Sequence, residues 1–194
     1  MIGLILCGGQ SARMGKDKGL LIKDSITWAQ IASEKLTSLN IAVKFSVNQQ
    51  QLMEYGKIFP IEDLIIDNDL LSLKGPLLGV LSANKRYPLD DLFIVACDLP
   101  LLQTNLLTTL IEHYQQNTEF EAFIFTNNNE LEPLCGIYTA KGLKKIIELE
   151  KENKLLKHSM KFILENLLTK TIPINEANKK QFTNFNTNAQ LEDL

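Results

Sequence analysis

Apolar and polar positions follow two rhythms along the chain. Ile2 to Leu6 and Leu92 to Ala96 are unbroken apolar runs of five residues. Runs of that length suit strands buried on both faces of a sheet. Elsewhere the apolar residues recur every three or four positions. Trp28, Ile31, Ala32, Lys35, Leu36 and Leu39 trace one such helical stripe. The same reading predicts an extended piece at 20–22, a strand at 41–47 with Asn48 at its C-terminal edge, and a short helix at 49–55. A strand at 64–66 ends at Asp67. Pro76 suits the first turn of a helix running to Arg86, a position where its missing N–H costs nothing. Further along, the pattern predicts a helix at 105–114 capped by Thr104, strands at 122–125 and 134–138, helices at 141–151 and 159–167, and a strand at 170–174. The polar run 126–130, with three successive asparagines, reads as an exposed turn, and 188–194 as a closing helix.

Strands alternating with helices indicate an α/β sheet. Ligands of such sheets collect outside the C-terminal ends of the strands. Gly8, Asn48, Asp67 and Asp98 each follow an apolar strand, so the pattern predicts that they meet at one edge although ninety residues separate the first from the last. The 194 residues suit a single domain, and 45% hydrophobic content is ordinary for a globular chain. A net charge of −3 carries no general signal for nucleic acid, so attraction for an anionic substrate has to be local. No stretch approaches the roughly 18 apolar residues of a membrane span. Cys7, Cys97 and Cys135 lie in apolar segments without metal-ligand spacing, which predicts buried thiols in a reducing compartment and a cytoplasmic protein.

Candidate chemistry concentrates in residues 6–18, where the first strand opens into a loop with Gly8, Gly9, Arg13, Lys16 and Lys18. Glycines let backbone N–H groups approach phosphate oxygens, and the cations offset their charge. The loop is not a Walker A sequence: Gln10 stands where the first glycine belongs, and Asp17 where the magnesium-binding hydroxyl belongs. Nor is it a dinucleotide fingerprint, because Gly8 and Gly9 are adjacent and no glycine follows three positions on. Asp98, just past a buried strand, is a hard oxygen donor of the kind Mg²⁺ prefers, or else a turn former before Leu99-Pro100. Lys16 is expected on the surface. His113 and His158 are expected in helices, without a functional partner.

Taken whole, the loop reads Leu-x-Gly-Gly-x-Ser-x-Arg-Met-Gly-x-Asp-Lys. It resembles the signature of nucleotidyltransferases, and within them the molybdenum cofactor guanylyltransferases. Sugar-phosphate nucleotidyltransferases usually carry Pro-Lys where Asp17-Lys18 stands, and the cytidylyltransferases usually open with Ala-Ala-Gly. Cys7 departs from the family's more frequent alanine. Gly75-Pro76-Leu77-Leu78-Gly79, Cys97-Asp98-Leu99-Pro100, Glu132-Pro133-Leu134-Cys135-Gly136 and Asn184-Phe185-Asn186-Thr187 resemble later family segments in the same order.

The resemblance implies a three-layer, Rossmann-like nucleotidyltransferase domain with a mainly parallel central sheet. It implies transfer of GMP from GTP to the terminal phosphate of molybdenum-carrying molybdopterin, with Mg²⁺ as cofactor and loss of pyrophosphate. Arg13, Lys18 and Asp98 would be catalytic, with Asp98 holding the metal. Leu6, Cys7, Gly8, Gly9, Lys18, Asn48, Asp67, Gly79 and Asp98 would bind GTP; Asp69 competes with Asp67 for the nucleoside. Asn184 and Asn186 would face the pterin acceptor, although Asn186 or Thr187 alone suits a helix cap equally well. Pterin-delivery and acceptor proteins are implied partners. A CTP-dependent molybdopterin cytidylyltransferase and a non-catalytic nucleotide-binding module remain open alternatives.

Overall fold

The structure is a computed structural model that describes residues 1–8, 17–68 and 71–185. Among these residues, β1 (Ile2–Leu6), β2 (Ile22–Lys23), β3 (Ile26–Thr27), β4 (Val43–Val47), β5 (Leu64–Ile66), β6 (Leu92–Ala96), β7 (Ala122–Asn127), β8 (Glu130–Tyr138) and β9 (Thr169–Pro173) are the strands. The helices are α1 (Trp28–Thr37), α2 (Leu52–Tyr55), α3 (Pro76–Arg86), α4 (Thr104–Gln116), α5 (Ala140–Lys151) and α6 (Met160–Glu165). Seven strands join in one sheet of order β5-β4-β1-β6-β8-β7-β9. Its first four strands are mutually parallel; β8 runs antiparallel to both β6 and β7, and β9 is parallel to β7.

Side chains of alternate residues leave opposite faces of this sheet, which makes two apolar layers. Ile5, Phe45, Phe93, Val95 and Phe123 pack under α1 and α4 through Ala29, Ala32, Leu36, Leu106, Leu107 and Leu110. Leu4, Leu6, Ile94 and Ile124 pack on the other face under α3, α5 and α6 through Leu77, Val80, Ile146 and Ile163. All residues of β1 and β6 are buried, as unbroken apolar runs predict. No described helix is long and apolar enough to cross a membrane.

Local chemistry sets the element ends. Thr27 caps α1 in a reciprocal box: its Oγ1 accepts from Gln30 N–H at 3.2 Å, and its N–H donates to Gln30 Oε1 at 2.8 Å. Asn128 and Asn129 take positive φ of 50° and 65° between β7 and β8. That is the two-residue turn that right-twisted hairpins favour, so the strands reach further into the predicted turn than polarity indicates.

Three expectations need correction. Of the extended piece expected at 20–22 only Leu20 departs: it closes a 3₁₀ turn, Lys18–Leu20, that Asp17 caps by accepting the Gly19 N–H, while Leu21 is extended and Ile22 opens β2. Thr104 lies inside α4, and Gln181 accepts the N–H of the true cap, Gln103, at 3.0 Å. His158 precedes α6 in irregular chain, and Ser159 caps that helix. The sheet is mainly parallel, as expected, with β8 inserted antiparallel between β6 and β7. The closing helix expected at 188–194 lies outside the described residues.

Candidate functional site

The register of the parallel strands brings the expected edge residues to one level. Ile65 pairs with Ser46, Ser46 with Leu6, and Leu6 with Ala96. Two residues beyond that row stand Asp67, Asn48, Gly8 and Asp98. Three strand intervals separate the outer two, a span of about 14 Å at ordinary strand spacing.

A cleft of about 700 Å³ opens at the Asp67 end of this edge. Leu6, Gly8, Asn48, Asp67 and Gly79 line it, together with Ser46 and the Leu73–Pro76 segment. Gly75 has φ 67° and ψ −157°, a conformation that glycine adopts freely. It turns the chain so that Pro76 opens α3 against the cleft. Gly79 permits the close approach: a Cβ there would sit 2.2 Å from Ser46 Oγ. The buried Ser46 hydroxyl in turn lies 3.4 Å from Asp67 Oδ1. Asn48 closes the turn after β4, its Oδ1 accepting from Gln50 and Gln51 N–H at 2.9 and 3.0 Å, while it also lines the cleft.

Lys18 and Asp98 are outside the cleft lining and form an ion pair of 2.9 Å. Each side chain is between one-fifth and one-quarter exposed, so both remain within reach of a ligand. The backbone after Asp98 is braced from two sides. Lys35 on α1 donates from Nζ to Pro100 O at 3.0 Å and to Leu99 O at 3.4 Å. Burial lowers the pKa of this ammonium to about 8. From the other side, Phe185 donates its N–H to Asp98 O at 3.3 Å and packs edge-on against Trp28. Trp28, Leu21 and Phe185 form a small satellite core with Leu101 against it. Asn184 is exposed one residue before this contact. The expected Gly9, Arg13, Asp69 and Asn186 lie outside the described residues.

Cys7, Cys97 and Cys135 are free and buried. The Cys97 thiol is pushed well up by its hydrogen bond with Cys7 and by burial; burial does the same to Cys135. These groups are packing thiols. The Cys7 backbone carbonyl, however, accepts from the Gln51 amide at 2.9 Å. Gln51, Asp17 and Tyr55 form a polar cluster that the sequence did not group.

Among the described residues no group of three or more His, Cys, Asp or Glu is arranged to hold a metal ion. A Mg²⁺ that arrives with phosphate asks for less, since one or two carboxylates suffice when phosphate oxygens and water complete its shell. Asp98, a partly exposed carboxylate at a strand end, offers one such ligand, and the Lys18 ammonium on its Oδ2 would have to yield that oxygen to a metal.

Comparison with known proteins gives the family. The model of the MobA-like NTP transferase domain matches residues 3–169. A relative from Flavobacterium johnsoniae, described as a probable molybdenum cofactor guanylyltransferase, is 30% identical over 98% of this chain and 94% of its own length. A relative of the same description from Clostridium perfringens strain 13 is 30% identical over 98% of this chain and 93% of its own. The crystal structure of molybdopterin-guanine dinucleotide biosynthesis protein A from Archaeoglobus fulgidus superposes with a TM-score of 0.75 at 19% identity. It covers all of this chain and 96% of that one, a likeness of fold.

Proposed function

The chain belongs to the MobA-like NTP transferase domain family, and on that premise we propose that it transfers GMP from GTP to the terminal phosphate of molybdenum-carrying molybdopterin. The single observation that carries this reading is the common level of Asp67, Asn48, Gly8 and Asp98, with a cleft at one end and the Lys18–Asp98 pair at the other. The cleft takes the guanine nucleoside, held over Asn48, Asp67 and Gly79. The triphosphate runs along the strand ends past Leu6, Cys7, Gly8 and Gly9, toward Arg13 and Lys18.

An oxygen of the acceptor phosphate attacks the α-phosphorus of GTP. One phosphorus–oxygen bond forms, the α–β bridge breaks, and pyrophosphate leaves. The attacking oxygen is already ionised at neutral pH, so the protein needs no general base. Its work is alignment and charge stabilisation. Lys18 and Arg13 offset charge on the departing β- and γ-phosphates. Asp98 would hold Mg²⁺, which withdraws charge from phosphate oxygens when bound. Asn184 and Asn186 would serve the acceptor; Asn184 directly precedes Phe185, whose N–H donates to Asp98 O. The buried free thiols suit the cytoplasm, where GTP is abundant.

Calorimetric titration with GTP, CTP, ATP and UTP, with and without Mg²⁺, tests the nucleotide assignment. Selective, Mg²⁺-dependent GTP binding is the expected result. A preference for CTP would move the chain to the cytidylyl reaction. Binding of none, with or without the pterin, would overturn the enzymatic reading.

A further inference from the structure

Both ends of the glycine-rich loop converge on one side chain. The Gln51 amide nitrogen donates to Cys7 O at 2.9 Å, at the loop's entry, and to Asp17 Oδ2 at 2.5 Å, at its exit. The amide oxygen accepts the Asn48 N–H at 2.8 Å. A primary amide has two N–H donors, and here each holds one end of the loop. Rotating the amide by half a turn would set its oxygen against a carbonyl and a carboxylate, and its NH₂ against an N–H. Its orientation is therefore fixed by its three neighbours.

Asp17 passes this constraint on. Its other oxygen, Oδ1, accepts from Gly19 N–H at 2.9 Å and from the Tyr55 hydroxyl at 3.0 Å. Tyr55 is wholly buried, and burial first among several causes keeps its phenol protonated far above the ordinary range, so it remains a donor. A Cβ on Gly19 would meet the Tyr55 oxygen at 2.1 Å, so the 3₁₀ turn sits directly on α2. That turn, capped by Asp17, begins with Lys18, whose ammonium meets Asp98 across the site. Gln51 and Tyr55 thus tie α2 and its N-cap residue to Cys7 and Asp17, the residues that flank the loop.

We propose that Gln51 is a positioning residue: by stapling Cys7 to Asp17 it fixes the separation of the loop ends and the place from which Lys18 reaches the triphosphate. The proposal rests on the nucleotide reading above and adds to it a residue that touches neither substrate nor metal. Gln51 is 44 residues from Cys7 and 34 from Asp17, so no local motif announces it.

Two substitutions test it in the full-length chain. Gln51→Leu keeps much of the volume and removes every hydrogen bond. Gln51→Glu keeps the shape but sets a carboxylate against Asp17, and two carboxylates that close accommodate each other only by sharing a proton. The expected Gln51→Leu result is a loss of Mg·GTP affinity of about tenfold or more at all pH values, with the melting temperature within a few degrees of wild type. Gln51→Glu should match that loss near pH 8 and recover toward wild type near pH 5.5, as the shared proton restores a bridge to Asp17. A merely structural glutamine would lower the melting temperature in both variants and give no pH-dependent recovery. Wild-type affinity in Gln51→Leu, within about twofold, overturns the staple while leaving the nucleotide reading intact. Failure of the wild-type protein to bind GTP overturns the nucleotide reading and the role built on it.

Discussion

Asp98 and Glu121 stand in the two halves of one sheet, at the end of β6 and at the start of β7, and their surroundings differ in kind. Around Asp98 the neighbouring strands are parallel, so their C-terminal ends, and the polar residues that follow them, collect at one edge. Asp98 has the Lys18 ammonium at 2.9 Å and keeps about one-fifth of its side chain exposed. Around Glu121 the strands run both ways, and no common end forms. Its side chain is only 9% exposed, and it accepts Leu168 N–H at 2.9 Å with Lys145 and Lys141 at 3.5 and 3.7 Å. Burial opposes its ionisation, but the Leu168 N–H and the two lysines prevail and hold its carboxyl below the usual range. A carboxylate enclosed by donors braces the fold. One paired with the Lys18 ammonium and partly exposed at a strand end can exchange that partner for a ligand.

Replacing Asp98 should separate the two halves most sharply. Asp98→Asn is expected to slow pyrophosphate release by about 10²–10³-fold, with a melting temperature near that of wild type. Gly79→Ala comes next. Its Cβ would have to displace the Ser46 hydroxyl at 2.2 Å, so α3 should shift from the cleft. Calorimetry should show roughly tenfold weaker GTP binding, and urea unfolding a loss of about 1–3 kcal/mol.

In the other half, Glu121→Gln should leave kcat unchanged while stability falls by about 1–2 kcal/mol. The pH sign follows from the lowered pKa. The Glu121 contribution is complete above the unfolded carboxylate value of 4.5 and is lost as pH falls through the lower folded value. Acid unfolding should therefore begin at higher pH in the variant. Lys35 carries the opposite charge, and its effect appears only in alkali. Its folded pKa is about 8 against 10.5 unfolded, through burial, with Lys23 lowering it further and Cys135 opposing. Between those values the unfolded chain holds a proton that the folded one has released, so stability rises with pH. Urea unfolding should show a slope of at most about 1.4 kcal/mol per pH unit in that window, absent in Lys35→Met.

The same division explains what could be read in the sequence. Ile2 to Leu6, Leu92 to Ala96 and the Pro76 helix were legible because period and turn chemistry are local. Parallel strands place successive C-terminal residues on one edge, so Gly8, Asn48, Asp67 and Asp98 could be grouped before any register was known. The insertion of β8 between β6 and β7 was not legible, since pairing order is decided by packing on both sheet faces. The Gln103 cap supplied by Gln181, 78 residues away, and the bridge from Gln51 to Asp17 escaped for the same reason. Side chains that hold distant backbone together leave no spacing in the sequence.

Transfer at the α-phosphorus is best tested with GTP labelled at either the α- or the γ-phosphate, incubated with Mg²⁺ and molybdenum-carrying molybdopterin. The expected product carries the α label in the pterin dinucleotide, with the γ label released as pyrophosphate. Recovery of the γ label on the pterin, or no transfer by protein that is folded and binds GTP, would contradict a guanylyl transfer at this edge.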